Sequence, residues 1–254
     1  MLTLKFFWMT VLAAGMALFA SPALALESPG VSALTLLIPL GGKTVAVDVY
    51  KPMGPHTGAA ILTHGGFRGR KTMAEHAHAL AERGVLAVAP DMPCTFDHHC
   101  NARAIAELVK TIHLTGTLGA SAKRIILVGF SAGGLSSLLA ADTPGVVGFV
   151  GLDPYDHLPS GASEHLGMVA ARRLDTETLL MRAPASSCNA QSVAAPWATA
   201  LKALWRDELM AGATHCDFEA PTDWLCRLVC GQPEVSRQAR VRQGLLDAAA
   251  RWLP

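Results

Sequence analysis

The sequence is poor in charged and aromatic residues. Only 16% of its 254 residues are Asp, Glu, Lys or Arg, and 6% are Phe, Trp or Tyr. Lysine and arginine together number 21, against 20 aspartates and glutamates. The sequence contains no basic block and no alternation of basic with aromatic residues. Nucleic-acid binding needs such a basic surface, so we expect no nucleic-acid partner, and an acidic polymer is equally unsupported.

After its first 25 residues the sequence also lacks an apolar run long enough to cross a bilayer, which takes about 20 residues. The first residues have Lys5, an uncharged stretch from Phe6 to Ala20 and an A-x-A ending at Ala25. This layout predicts a secretory signal peptide cleaved after residue 25. A membrane anchor is the alternative, but the apolar stretch is short and the small-residue ending favours removal. We therefore expect an exported protein, periplasmic or secreted, with no stable membrane anchor and with one domain over residues 26–254.

All six cysteines follow the predicted signal peptide. They are Cys94, Cys100, Cys188, Cys216, Cys226 and Cys230. An even number of cysteines in an exported protein predicts disulfide bonds. The sequence does not choose among the possible pairings, although Cys94 with Cys100 would close a short loop. A metal site at Cys226 and Cys230 is the alternative, but no second pair lies at zinc-finger spacing, so we expect no metal.

Apolar runs typical of buried strands alternate with stretches of helical character. Strands are predicted over residues 34–38, 44–50, 59–63, 85–89, 124–128, 146–152 and 178–181, and helices over residues 72–83, 101–118 and 132–141. The first two strands flank Gly41 and Gly42, which predicts a hairpin. The alternation predicts an α/β fold with a mostly parallel central sheet, helices on both faces and a site at the carboxyl ends of the strands.

The run from Ile125 to Gly134 reads I-I-L-V-G-F-S-A-G-G. A nucleophilic serine can be held on a sharp turn between a strand and a helix if its neighbours are small enough for the backbone to fold tightly. Gly129 and Gly133, two residues before and two after Ser131, meet that need. We therefore predict that Ser131 is a nucleophile, the alternative being a structural glycine-rich turn.

A serine nucleophile needs a base and an orienting carboxylate, and on this kind of turn the acid and then the histidine follow the serine. His215 follows the last strand-like stretch and is the predicted base. His157 and His165, which lie in a loop before a helix, are less favoured. The predicted acid is Asp153, which directly follows the strand over 146–152. Asp156 is the alternative acid, and a turn cap before Pro154 is the structural interpretation of Asp153.

The strand over 59–63 ends at His64, Gly65, Gly66 and Phe67. In a serine hydrolase this loop supplies one backbone N–H group to the oxyanion, and the residue after the nucleophile supplies the other. We assign these donors to Phe67 and Ala132, with Gly66 as the alternative to Phe67.

Four pieces of the sequence resemble those of secreted α/β-hydrolase serine esterases, and within that superfamily the chlorophyllase-like and polyester-hydrolase-like (cutinase-type) groups. They are G-F-S-A-G-G around Ser131, G-L-D-P around Asp153, S-C-N at Ser187 to Asn189 and A-T-H-C-D-F-E around His215. The resemblance implies the α/β-hydrolase fold and a Ser131, Asp153, His215 triad, with the acid after the sixth strand as in chlorophyllases. It also implies hydrolysis of a small-molecule or lipid-like ester without a cofactor. Polyester hydrolases usually place the acid after the following strand and line their groove with an aromatic pair, and neither feature is evident in this sequence.

Two other functions remain open from the sequence. The same triad could serve a serine peptidase or amidase, and a secreted binding domain could keep the fold without catalysis. Asp97 to Cys100 spell the D-H-H-C of protein palmitoyltransferases, but the membrane spans and zinc domain of those enzymes are missing. We interpret this segment as a surface loop closed by a disulfide. Glu75, His76 and His78 are interpreted as part of a solvated helix.

Overall fold

The computed structural model describes residues 30–114, 118 and 121–253. Eight strands form one sheet in the order β1-β2-β4-β3-β5-β6-β7-β8. The strands are β1 (Val31–Leu40), β2 (Lys43–Pro52), β3 (Gly58–Thr63), β4 (Val85–Pro90), β5 (Ile125–Phe130), β6 (Val146–Leu152), β7 (Thr178–Arg182) and β8 (Leu204–Leu209). The helices are α1 (Ala74–Glu82), α2 (His98–Leu114), α3 (Ala132–Ala140), α4 (Leu166–Ala171), α5 (Trp197–Ala200), α6 (Trp224–Cys230) and α7 (Val235–Trp252).

The sheet is parallel except at one edge. The predicted β1–β2 hairpin is present, and β2 also runs antiparallel to β4. All other neighbouring strands are parallel. The predicted α/β-hydrolase fold is therefore confirmed. The predicted signal peptide, residues 1–25, lies outside the described residues. Within residues 30–114, 118 and 121–253, no helix is both long and apolar enough to span a bilayer.

Both faces of the sheet are covered, which explains why its central strands are continuous apolar runs. Every residue of β3, β4 and β5 is buried. One apolar cluster joins the sheet to α1 and α7, and a second joins the opposite face to α2, α3 and Trp197 of α5. The carboxyl ends of the parallel strands consequently meet at one edge of a rigid, two-sided core.

The sequence analysis was wrong about His76, which does not lie on a solvated face of a helix. Its side chain is fully buried in α1, and its Nε2 lies 3.2 Å from the carbonyl oxygen of Phe218. Two backbone hydrogen bonds run beside this contact, from Glu75 N to Ala220 O and from Ala220 N to Thr72 O, both 2.8 Å. The turn that follows His215 is therefore fixed against the first helix.

The six cysteines form three disulfide bonds, in agreement with the prediction. The pairs are Cys94–Cys100, Cys188–Cys230 and Cys216–Cys226. The sulfur atoms of Cys216, Cys226 and Cys230 lie within 4.8 Å of one another, but each belongs to a disulfide. The last two disulfides both hold α6.

We predict that Gly148→Ala destabilises the fold through the α7 contact. A Cβ atom at Gly148, in β6, would lie 2.1 Å from the ring of Trp252. Because Trp252 fills this part of the core, overpacking should lower the free energy of unfolding by roughly 1–3 kcal/mol. Urea denaturation measures the loss. Gly54→Ala is the control, since no heavy atom lies within 4 Å of the added methyl group. Equal stability of the two variants would contradict this packing.

We also predict that His76 makes the fold sensitive to acid. Burial lowers the pKa of His76 from 6.5 to about 4, so the unfolded chain binds a proton on this residue more readily than the folded chain does. The stability contribution is complete above pH 6.5 and is lost as the pH falls towards 4. The lowered pKa corresponds to roughly 3 kcal/mol across that window.

The measurement compares the free energy of unfolding between pH 7.5 and pH 4.5 for the wild type and His76→Gln. The variant should lose less stability on acidification, because a glutamine does not titrate. His78→Gln, two residues along α1 at a partly exposed position, should keep the pH dependence of the wild type. The same pH dependence in all three proteins would show that His76 is not the group responsible.

Candidate active site

Ser131 lies on a sharp turn between β5 and α3. Its backbone has φ 52° and ψ −120°, a conformation that is strained for a residue with a side chain. The flanking glycines leave no room for a Cβ atom: at Gly129 it would lie 2.5 Å from the Gly133 carbonyl oxygen, and at Gly133 it would lie 2.4 Å from the His64 carbonyl oxygen. The two glycines are therefore needed because the backbone folds too tightly around Ser131 to admit a side chain at either position.

Asp153 and His215 are joined by a hydrogen bond. Asp153 directly follows β6, and His215 begins a short 3-10 helix after β8. The Nδ1 atom of His215 lies 2.6 Å from Oδ2 of Asp153, and both side chains are buried. An Nδ1–H donated to the carboxylate leaves the lone pair of the imidazole on Nε2. The ring of His215 also packs on Phe130, with 4.6 Å between the ring centroids.

Asn189 is a second polar residue at Asp153, and the sequence analysis gave it no role. Its side-chain amide donates to both carboxylate oxygens at 3.3 Å and to Pro184 O at 3.0 Å. The backbone N–H of Ala183 donates to Asp153 Oδ1 at 3.0 Å. These donors fix the carboxylate and leave Oδ2 directed at His215.

Ser131 and His215 line the same cleft. They make no hydrogen bond to each other in this structure, and within the described part of the chain neither the Ser131 hydroxyl nor His215 Nε2 has another partner. Both polar groups are therefore open to the cleft. In ligand-free enzymes the hydrogen bond of such a pair is often long or poorly aligned and tightens only when substrate is bound.

The two predicted oxyanion donors line the cleft beside Ser131. Phe67 and Ala132 both contact it, as does Gly66. Phe67 has φ 57°, so its backbone is left-handed, and Ala132 is the first residue of α3. Among the residues that the structure describes, neither the Phe67 amide nor the Ala132 amide donates a hydrogen bond to another group.

The alternative site residues have other contacts. Asp156 accepts hydrogen bonds from His157 N and Gly167 N at 2.7 Å and from Trp197 Nε1 at 2.6 Å. Its carboxylate thus joins the start of α4 to α5. His165 precedes α4, and His157 lines the cleft away from Asp153.

Backbone strain is concentrated around the site. The described residues other than glycine that have positive φ are Phe67, Phe96, Ser131, Asp153, Ala190, Gln191 and Ser192. The first four lie at the cleft or its acid, and the last three directly follow Asn189. Such conformations persist only where the surrounding structure enforces them, and they cluster at functional sites.

The cleft has a volume of about 480 Å³, and its two walls differ in polarity. Leu225 and Val229 of α6 form an apolar wall, and His98, Tyr155 and His157 form a wall of polar aromatic residues. At the mouth, Phe67 and Phe96 pack edge to face at 4.7 Å although they are 81% and 54% exposed. The sequence analysis found no aromatic pair, because 29 residues separate these two in the chain.

The loop that follows β3, residues 64–67, is called the oxyanion loop below. Arg68 joins this loop to the segment that follows His215. Its Nε atom lies 2.8 Å from Oε1 of the buried Glu219, and its Nη1 lies 3.9 Å from Asp223. Asp223 caps α6 by accepting hydrogen bonds from the Leu225 and Cys226 amides. The charge of Arg68 is thus neutralised although Arg68 lines the cleft.

Burial favours the neutral form of two histidines, His64 in the oxyanion loop and His98 beside it. Burial lowers the pKa of His64, whose Nδ1 bonds Gly65 O at 2.8 Å and whose Nε2 accepts from Met92 N at 3.0 Å. Burial also lowers the pKa of His98, and repulsion from His157 adds to this effect. The site therefore has little net charge from these rings at neutral pH.

Comparison with known proteins identifies the family. Among solved structures, the fold is similar to that of a dienelactone hydrolase from Anabaena variabilis ATCC 29413, with a TM-score of 0.69 and 15% sequence identity over 89% of this chain and 100% of that chain. That likeness is one of fold. A search of curated proteins finds no match. Residues 60–253 match the model of the alpha/beta hydrolase family, so the chain belongs to the alpha/beta hydrolase family.

Proposed function

We propose that this hydrolase is a serine esterase that cleaves carboxylic esters through an acyl-enzyme. The observation that carries the proposal is the hydrogen bond of 2.6 Å between His215 and Asp153, in a cleft shared with the strained Ser131. A histidine with its Nδ1–H bound to a buried carboxylate presents Nε2 as a base. The same cleft offers two unpaired amides for a developing oxyanion.

In the first step, Ser131 Oγ attacks the ester carbonyl carbon while His215 Nε2 takes the hydroxyl proton. The carbonyl oxygen gains negative charge and accepts hydrogen bonds from the Phe67 and Ala132 amides. Asp153 stabilises the imidazolium that has formed. When the tetrahedral intermediate collapses, the C–O bond of the ester breaks and His215 returns the proton to the departing alkoxide.

In the second step, water attacks the acyl-enzyme. His215 takes a proton from the water, the same two amides hold the oxyanion, and the proton then passes to Ser131 Oγ as the acid product leaves. The fixed donors to Asp153 keep the acid in place through both steps, so that only protons and the acyl group move.

The apolar wall of the cleft supports a substrate with an apolar, lipid-like part. It continues outside the cleft along α6, where Trp224 and Leu228 are exposed. A contiguous exposed apolar surface beside a catalytic cleft favours the burial of an acyl chain or another apolar group. An apolar group that enters the cleft does not have to cover an unpaired charge at Arg68, because Arg68 is already paired with Glu219.

We propose further that the protein is exported. The pairing of all six cysteines in disulfides supports this, since such bonds persist in oxidising compartments. The signal-like layout of the first 25 residues provides independent support.

The first prediction from this mechanism concerns the nucleophile. Ser131→Ala should lower the rate of p-nitrophenyl ester hydrolysis by several orders of magnitude, roughly 10³-fold or more, because the acyl-enzyme can no longer form. It should also abolish covalent labelling by a fluorophosphonate, which mass spectrometry would locate at Ser131 in the wild type.

Ser163→Ala, at an exposed serine, is the matched control and should hydrolyse esters and react with the probe like the wild type. A folded wild-type protein that neither reacts with the phosphonate nor hydrolyses esters of any chain length would contradict the proposal. Labelling without ester turnover would instead favour an amide substrate.

The second prediction concerns Asn189 as a positioning residue. Asn189→Ala removes the side-chain amide that donates to both carboxylate oxygens of Asp153 and should lower kcat about tenfold or more, since the carboxylate is then free to turn away from His215. KM should change little, because Asn189 lies behind the acid and does not line the cleft.

Ser186→Ala is the control, because within the described residues the Ser186 hydroxyl contacts only Asn189, at its side-chain oxygen (3.4 Å) and its backbone N–H, and not the side-chain amide that donates to Asp153. A loss of melting temperature in Asn189→Ala with unchanged kcat would show that Asn189 is only structural.

A further inference from the structure

A second, smaller cavity adjoins the cleft behind the oxyanion loop. Its volume is about 170 Å³, and an engineered cavity of roughly 150 Å³ is large enough to bind benzene. Gly66, Phe67, Arg68, Phe96, His98 and Ala132 line both spaces. A group of a few heavy atoms attached near an ester carbonyl could therefore extend from the cleft into this cavity.

The polar side chains that line the small cavity differ in whether their hydrogen-bonding atoms have partners in the protein. His64 uses both ring nitrogens in bonds to the backbone. Asn101 accepts from Cys94 N at 3.0 Å and donates to Cys94 O at 2.7 Å. His98 is only 5% exposed, yet within the described part of the chain its one hydrogen-bond contact is from Nδ1 to Ser136 Oγ, at 3.3 Å. Its Nε2 therefore faces the cavities without a protein partner.

The hydrogen bonds of Ser136 determine the tautomer of His98. The Ser136 hydroxyl lies 3.2 Å from the carbonyl oxygen of Ala132, and to a carbonyl it can only donate. Its oxygen must then accept the Nδ1–H of His98. Consequently Nε2 carries a lone pair rather than a proton. The lowered pKa of His98 agrees with a neutral ring.

We propose that His98 Nε2 forms a subsite that accepts a hydrogen bond from a hydroxyl group of the substrate, placed a few bonds from the scissile carbonyl. This rests on the proposed esterase function and narrows its substrate class to hydroxylated esters. An anionic group would be repelled by the Nε2 lone pair, and the cationic side chain in the lining of the small cavity, Arg68, is already paired with the buried Glu219. A cationic group would find no carboxylate, since none belongs to the lining of the small cavity. A neutral donor is the chemistry that remains.

The hydroxyl could belong to the acyl part or to the alcohol part of the ester, so the test uses two pairs of esters. One pair is p-nitrophenyl butanoate and its 3-hydroxybutanoate, and the other is propyl butanoate and 2-hydroxypropyl butanoate. In at least one pair, kcat/KM of the wild type should favour the hydroxylated member by about threefold to tenfold, the range of a neutral hydrogen bond.

Variants of His98 then show which residue causes the preference. His98→Leu removes the acceptor at similar volume and should bring the ratio of kcat/KM values close to one. His98→Gln, which keeps an acceptor, should retain part of the preference. His99→Leu is the matched control at the neighbouring exposed position and should leave the ratio unchanged. Equal rates within both wild-type pairs, or an unchanged ratio in His98→Leu, would overturn the proposal.

A binding measurement separates this proposal from the esterase function itself. The same esters are titrated by calorimetry into Ser131→Ala and into Ser131→Ala combined with His98→Leu, where no acyl-enzyme can form. Tighter binding of a hydroxylated ester that is lost with His98 supports the subsite even if the wild type hydrolyses none of the esters, in which case only the esterase proposal fails. Equal affinity within both pairs, or binding of no ester, overturns the subsite.

Discussion

The close packing of the β5–α3 turn against the end of β3 is the constraint on which the rest of the site depends. A Cβ atom at Gly133 would meet the backbone of His64, and one at Gly65 would lie 3.2 Å from the Cβ of Ser131. The serine turn and the oxyanion loop therefore pack so closely that glycine is required at both positions. Ser131 adopts its strained conformation at this contact, and Phe67 lines the same cleft, so the proposed nucleophile and the proposed oxyanion donor are positioned together.

The proposed acid and the proposed base follow strands that lie progressively farther across the sheet from β5, and hydrogen bonds between distant parts of the chain hold both side chains in place. Asp153 ends β6, and Asn189, which follows β7, holds it. His215 follows β8, at the sheet edge, where backbone order is hardest to maintain. There the Cys216–Cys226 disulfide, the Arg68–Glu219 ion pair and the contact with α1 all converge on one short turn. Because His215 is buried and the residues that follow it are held by these three contacts, its side chain loses little conformational freedom when substrate binds.

The sequence predicted those parts of the molecule whose physical cause is local. β5, Ser131 and its glycines were predictable because a buried parallel strand and a tight turn restrict residue types over a few positions. β8 was not among the predicted strands, because an edge strand that reads L-W-R-D-E-L lacks the apolar run of its neighbours. Asn189 was missed because its partner is 36 residues away. His76 looked like a surface residue because its carbonyl partner, at Phe218, is supplied by a distant turn.

The two walls of the cleft depend on elements outside the common catalytic core. One wall is α6, a helix of seven residues held by two disulfides, and the other is built from the start of α2 and the loop after β6. Because these disulfides hold α6 covalently, the helix needs no apolar packing of Leu225 and Val229 to stay in place, and these side chains remain free to contact a substrate. The opposite wall offers an unpaired acceptor at His98. A substrate of the proposed esterase that contacts both walls must be amphiphilic, so these connecting segments, and not the Ser131 turn, would select it.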